Sequence, residues 1–222
     1  MEWGPLPANA ALTQPLAALL RWWIRQQVTQ AVEVQVYLGD MTSLWRSGRL
    51  PLIQVSAHNV IYRQVHLQQV VLQAQNIQFH WPFFRQYKEP FIEPIAVAIT
   101  ATITEQNVNQ SLSVLQDFLQ PYLQELTGQR SRIQELHIRE QYIDWCLANG
   151  HTYRTQVTLV SPWELELQTL APEPKTTRIS LGSDGQIDKL NIETGTIYLS
   201  GQLVIRPAGA PAGSQSNRPG EP

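Results

Sequence analysis

Cysteine, lysine and charge are all scarce in this 222-residue chain, and each scarcity closes off a class of function. The single cysteine, Cys146, excludes an intrachain disulfide framework and any zinc site built from several thiolates. Only Lys88, Lys175 and Lys189 stand beside 13 arginines, and 16 basic residues against 18 acidic ones leave a formal net charge of -2. No global basic field is available to hold a phosphate backbone, so nucleic acid is not an expected partner. Charged residues make up 15% of the chain, against roughly 25% in an average soluble domain, whereas glutamine occurs 26 times. The polar surface is therefore expected to be amide-rich and weakly charged. No window of about 18 apolar residues occurs, which excludes a membrane-spanning helix on length. The opening residues Met1 to Pro5 lack a basic n-region, and the apolar stretch from Leu16 to Ile24 contains Arg21. That is not a signal-peptide pattern, and the expected location is the cytoplasm or the cytoplasmic face of a membrane.

Apolar residues nevertheless form 43% of the chain, enough to close a core. Thr13 and Pro15 open a helical pattern, and Leu16, Leu19, Leu20, Trp23, Ile24 and Val28 continue it, which predicts a helix over 13–30. The period then falls to two, with Val32, Val34, Val36 and Leu38 on one face of a strand. A second strand reads from Leu52 to Tyr62 and a third from Val65 to Trp81. Those 17 residues would span about 56 Å, well beyond an ordinary strand. Their apolar set also changes parity twice, so either one long strand carries bulges or two short strands are interrupted at Gln73 to Asn76. Ala57-His58-Asn59-Val60 is echoed by Ala74-Gln75-Asn76-Ile77, each inside an alternating run.

From Ile95 to Thr104 the β-branched residues share one parity and Ala or Thr the other, so small residues on the second face let something pack closely there. Thr104 is placed to cap a helix over 105–127 with Val108, Leu112, Leu115, Phe118 and Leu119 as its apolar stripe. Asn149-Gly150 between two alternating runs predicts a hairpin with a two-residue type I′ turn. Strands at Trp163 to Leu170, Thr177 to Leu181 and Thr196 to Arg206 complete the pattern. The expected organisation is an N-terminal extension over 1–12, one α+β domain over 13–207, and a tail over 208–222. The tail is too rich in Pro, Gly and Ser to offset ordering entropy.

No catalytic constellation emerges, and no enzyme activity or cofactor is expected. The five histidines, His58, His66, His80, His137 and His151, form no metal-ligating helical pair. Glu164 and Glu166 share a strand face opposite Trp163, Leu165 and Leu167, which places them toward solvent rather than in the desolvated cleft that acid–base chemistry needs. Cys146, between Trp145 and Leu147, reads as a buried small hydrophobe. No nucleophile elbow, P-loop or dinucleotide fingerprint occurs. The predicted first helix differs from the rest, because Trp22 and Trp23 accompany Arg21 and Arg25. That composition suits a bilayer interface, and equally a helix docked on the protein's own sheet.

The succession Asn59-Val60, Asn76-Ile77, Ile103-Thr104-Glu105-Gln106-Asn107-Val108-Asn109-Gln110-Ser111-Leu112 and Gly195-Thr196-Ile197-Tyr198-Leu199-Ser200-Gly201-Gln202-Leu203-Val204-Ile205-Arg206-Pro207 resembles the LmeA-like phospholipid-binding family, notably its cyanobacterial members, over about residues 13 to 207. The resemblance implies an elongated, mostly antiparallel sheet or barrel-like β ribbon wrapped around one or two helices, broadly like tubular lipid-binding domains, enclosing a pocket for lipid tails. It supplies no catalytic residues. The expected partner is a phospholipid or another acyl lipid, with peripheral membrane contact through Arg21, Trp22, Trp23 and Arg25. The expected pocket lining is Val108, Leu112, Leu115, Phe118 and Leu119 facing Ile95, Val97, Ile99 and Ile103. Those residues would equally make a filled core, and then the chain would be a protein-interaction or assembly module without a lipid.

Overall fold

The computed structural model describes residues 30–40, 42, 46–78, 93–170, 174–182 and 185–205. Among the described residues, eleven complete strands and two complete helices follow one another. The first four strands are β1 (Gln30–Leu38), β2 (Arg49–Tyr62), β3 (Val65–Gln78) and β4 (Ile95–Thr104). Helices α1 (Glu105–Gln110) and α2 (Leu112–Thr127) come next. Five short strands follow, β5 (Ile133–Arg139), β6 (Tyr142–Leu147), β7 (Thr152–Ser161), β8 (Glu164–Thr169) and β9 (Thr176–Ser180), and then β10 (Gly185–Glu193) and β11 (Thr196–Ile205). One sheet has six strands in the order β1-β2-β3-β4-β11-β10, and the other has five in the order β5-β6-β7-β8-β9. Every pairing is antiparallel, and neither sheet closes on itself. The α+β, antiparallel expectation holds; a barrel-like ribbon does not, and two open sheets take its place. The predicted helix over 13–30 lies outside the described residues except for Gln30, which opens β1, and the tail over 208–222 lies outside them too.

The long third strand is one strand, not two, and it turns its face without a shift of register. It pairs with β2 at a constant offset from Arg49↔Gln78 to Tyr62↔Val65, while Asn76 sits at φ 54 and Asn59, in β2, at φ 47. A left-handed residue resets the alternation of side chains, so the buried parity changes from Ala57 to Val60 and from Ala74 to Ile77. The echoed tetrapeptide is thus a device for turning a strand's face. A related stretch stands in β1 as Ala31-Val32-Glu33-Val34, with Glu33 at φ 53 inside the register shift between Val32 and Gln35. Asn visits this region more readily than most residues because its short amide hydrogen-bonds locally; Glu33 has no such advantage.

Thr104 does cap the helix that follows. Its hydroxyl accepts from the Asn107 N–H at 3.2 Å while Asn107 Oδ1 accepts from the Thr104 N–H at 3.2 Å. The expected single helix over 105–127 is divided at Ser111, which is fully buried and ties three elements. Its hydroxyl donates to Asn107 O at 2.7 Å and accepts from the His66 N–H of β3 at 2.8 Å. α2 then runs through Pro121 and ends at Gly128, whose φ of 69 suits a residue without Cβ.

Side chains of these helices also close the edge of β5. Asn109 donates to Leu136 O at 2.8 Å and accepts from Leu136 N at 2.9 Å, Gln116 accepts from Ile133 N at 3.2 Å, and Glu105 Oε2 accepts from Ile138 N at 2.7 Å. Gly195, in the β10–β11 turn, donates to Ile138 O at 3.0 Å. The edge of one sheet is thereby bolted to the helices and to the end of the other, leaving few backbone groups to template aggregation.

The hairpin at Asn149-Gly150 exists, with a different turn. Leu147 N donates to His151 O at 2.8 Å and Gly150 N to Leu147 O at 2.9 Å, so the loop is the three residues Ala148 to Gly150, with positive φ (85) at Gly150 alone. Two successive positive φ values occur instead at Arg63 (47) and Gln64 (67), which join β2 to β3.

Two main cores result. The first gathers Leu38, Leu50, Ile53, Val55, Ala74, Ile77, Ile95 and Val97 on the six-stranded sheet. The second gathers Val108, Leu123, Ile133, Leu136, Ile138, Ile143, Trp145, Leu147 and Ile192, where the helices meet the five-stranded sheet and the end of β10. A smaller cluster of Leu126, Leu167 and Ile179 continues the second under the last turns of α2.

Candidate functional site

The register of the six-stranded sheet lines up its apolar face in rows that run across the strands. Ala57, Val70, Ala101, Leu199 and Leu190 are successive partners in one row, and Val36, Val55, Leu72, Ile99, Gly201 and Ile187 in the next. A third row holds Leu38, Ile53, Ala74, Val97, Leu203 and Gly185. None of these residues is charged. Toward β1 and β2 the rows are buried in the first core, and below them Ile103, Ile197 and Ile192 enter the second. Between the two, Val70, Ile99, Leu199 and Ile187 are half-buried and belong to neither core. They form an apolar seam on β3, β4, β11 and β10.

Gly201 lies in the middle of this seam for a steric reason. A Cβ there would come within 2.1 Å of the Gln186 carbonyl oxygen, because β10 is bulged between Ile187 and Lys189 and its backbone closes over β11 at that point. A side chain at 201 would push β10 away from the sheet.

Of the residues expected to line a pocket, only Ile99 lies in the seam. Ile95 and Val97 are buried in the first core. Val108 is buried in the second, and Ile103, Leu112, Leu115 and Leu119 pack against it. The helical stripe therefore faces the five-stranded sheet and meets β4 only near Ile103, instead of lying along β4. Phe118 points outward, 51% exposed, with its ring centroid 5.8 Å from that of Tyr122. Arg21, Trp22, Trp23 and Arg25 lie outside the described residues. Sequence reasoning did not select Val70, Leu199 and Ile187, although each stands at an apolar position of an alternating run; the signal that unites them is cross-strand register.

Ionisable groups cluster elsewhere. Glu164 and Glu166 are held by Arg178 at 3.4 and 3.3 Å, an exposed triplet on the outer side of the five-stranded sheet. Asp144, 7% exposed, accepts from Arg154 Nε at 2.7 Å and Nη2 at 3.0 Å, with Arg139 Nε at 3.6 Å. The Arg154 hydrogen bonds hold its carboxyl below the usual range; burial pushes the other way, and the charges of both arginines complete the lowering. Burial acts to raise Glu105, but the hydrogen bonds from Ile138 N and His137 and the charges of His137 and Arg139 outweigh it and hold the carboxyl low. Cys146 is half-buried, not fully, 3.7 Å from the Thr152 hydroxyl. Among the described residues no group of His, Cys, Asp and Glu is arranged to hold a metal, and no helix is long and apolar enough to cross a membrane.

Two open antiparallel sheets with two helices among the described residues place the molecule in the α+β class. The chain belongs to the LmeA-like phospholipid-binding family, whose sequence profile matches residues 14–218. No curated protein and no solved structure matches it.

Proposed function

We propose that this chain binds a phospholipid or another acyl lipid non-covalently, with the acyl chain laid along the seam of Val70, Ile99, Leu199 and Ile187. The observation that carries the reading is a charge-free apolar band between the two cores in which Val70, Ile99, Leu199 and Ile187 are half-buried, with the buried Ala101 and Gly201 between them; the family's phospholipid-binding name supports it. Burying an acyl chain gains about 0.8 kcal/mol per methylene, so roughly ten methylenes supply about 8 kcal/mol before ordering costs. Apolar fit then sets affinity without a charged clamp and without chemistry. Membrane contact through Arg21, Trp22, Trp23 and Arg25 joins the same proposal.

Native mass spectrometry of freshly purified protein, with uptake of a fluorescent acyl probe, tests the seam. The expected result is a co-purifying lipid and saturable uptake, lost in Ile99→Glu and kept in Thr100→Glu, its exposed neighbour on the opposite face. No lipid and no uptake in the unaltered chain would remove the reading and leave an interaction module with a filled interior. Flotation with liposomes, compared between the unaltered chain and Trp22→Ala with Trp23→Ala, tests the membrane contact separately.

A further inference from the structure

The opposite face of the same sheet carries a second concavity of different chemistry. β3 and β4 pair from Gln69↔Thr102 to Ala74↔Val97 and then part, with β3 continuing to Gln78 on β2 alone and β4 beginning at Ile95. A groove of about 410 Å³ opens there, within the size range of small-molecule sites. Its polar lining among the described residues is carboxamide: Gln73, Gln75, Asn76, Gln78 and Gln202. Its apolar lining is Ala96 and Ala98, the exposed small residues of β4, with Ile77, Pro94 and Ile95 at the end where the strands part. The register makes this lining a row, since Gln54, Gln73, Ala98, Gln202 and Gln186 are successive partners across five strands.

The chemistry selects the ligand. No ionised side chain lines the groove among the described residues, and two charges of opposite sign bond its rim: Arg49 donates to Gln78 Oε1 at 3.3 Å, and Gln202 Nε2 donates to Asp188 at 3.5 Å. An anion would meet the Asp188 carboxylate at one rim as well as the Arg49 guanidinium at the other, with no net positive charge to hold it, and an acyl chain would strip water from the amides and give nothing back. A carboxamide both donates and accepts, and so does a hydroxyl, so a ring of neighbouring hydroxyls satisfies several amides at once. Alanines 96 and 98 leave room for the less polar face of such a ring to lie against the strand.

We propose that this groove binds a neutral, polyhydroxylated ring, a hexose, either free or as the headgroup of an uncharged glycolipid. The claim stands on the groove and not on the acyl seam. Saturation-transfer NMR on the full chain with methyl glucoside, methyl galactoside and methyl mannoside, and with inorganic phosphate in competition, reads the free ring. Flotation with phosphatidylcholine vesicles, with and without a monohexosyl diacylglycerol, reads the headgroup. The expected result is transfer to at least one hexoside, or retention by the hexosyl vesicles, weakened at least tenfold by Ala98→Trp while acyl-probe uptake and Tm hold. Ala96→Phe fills the same groove and serves if Ala98→Trp does not fold. Retention by hexosyl vesicles alone assigns the ring to a headgroup, and transfer without vesicle preference assigns it to a free sugar. Neither signal, a signal indifferent to both fillings, or competition by phosphate would overturn the proposal. Loss of acyl uptake in Ile99→Glu with hexoside transfer intact separates this site from the seam.

Discussion

The six-stranded sheet carries Glu33, Asn59 and Asn76 at positive φ inside its strands, and its partly buried apolar residues include four that join no core. The five-stranded sheet has no such residue inside a described strand; its apolar face is covered by α2, and its outer side carries the pairs of Asp144 with Arg154 and Arg139 and of Arg178 with Glu164 and Glu166. One sheet is bent by left-handed residues and leaves apolar surface half-covered. The other is regular, short-stranded and closed by a helix. Their difference separates what a strand needs for stability from what it can spare for a ligand: the regular sheet completes its burial within the chain, and the bent one keeps part of its burial for something else.

The sharpest test of that division compares Ile138 with Ile99. Ile138 is fully buried in the second core, so Ile138→Ala is expected to cost about 2–5 kcal/mol by chemical denaturation. Ile99 is half-buried in the seam, so Ile99→Ala in lipid-free protein is expected to cost about 1 kcal/mol or less, because part of its surface is already in water. The same substitution is expected to weaken acyl-probe uptake. Equal destabilisation by the two would mean that Ile99 is core and the seam is filled.

Glycines sharpen the contrast next. Gly201→Ala places a Cβ against the Gln186 carbonyl, a backbone atom that moves only with β10, and is expected to cost about 2–3 kcal/mol, on the scale of overpacking. Gly150→Ala, in the β6–β7 loop, meets nothing within 4 Å and suffers only its positive φ of 85, an expected cost of about 1 kcal/mol. Thermal melts of the two variants check the order.

Much of this architecture was legible in the residues, and the reasons differ by element. Hydrophobic alternation is local, so β2, β4, β7 and β11 could be read directly, and Thr104 announced its helix because a cap depends on residues three apart. The break at Ser111 was hidden, since it rests on a hydrogen bond to His66, 45 positions away. The turn at Ala148 to Gly150 was misread because Asn-Gly chemistry fits more than one loop length. The echoed tetrapeptides were visible, while their meaning, a left-handed Asn that turns the strand, was not. The surroundings of the expected lining were not legible either: the helical stripe and Ile103 pack in the second core while Ile95 and Val97 go to the first, a division made by tertiary packing that no local pattern carries. Ile99, at the midpoint of β4, joins neither core.

A third comparison tests the left-handed positions themselves. Asn76→Gly is expected to change stability by no more than about 0.5 kcal/mol, since glycine adopts the same φ without strain. Asn76→Val is expected to cost about 1–2 kcal/mol, because a β-branched residue resists φ 54. Similar melts for both would mean that the strand can turn its face by another route.

The smallest expected effect belongs to the regular sheet and depends on pH. Asp144→Asn keeps the shape of the side chain and removes its charge, leaving Arg154 and Arg139, both about half-exposed, to solvent; a loss of about 1 kcal/mol at neutral pH is expected after allowing for that exposure. The folded Asp144 carboxyl is held below its ordinary value, so its contribution is fully present above the unfolded pKa, about 3.9, and is lost as pH falls through the folded one. The unaltered chain should therefore lose stability relative to Asp144→Asn only below about pH 4, and the two denaturation midpoints should converge there. Glu105, also held low, contributes in the same direction at the joint between α1 and β5, so Glu105→Gln should narrow what acid sensitivity Asp144→Asn leaves. The seam holds no ionised group, so acyl uptake should stay level across the window in which the five-stranded sheet weakens; uptake that falls in step with the Asp144 titration would tie the two sheets into one cooperative unit and undo the division between them.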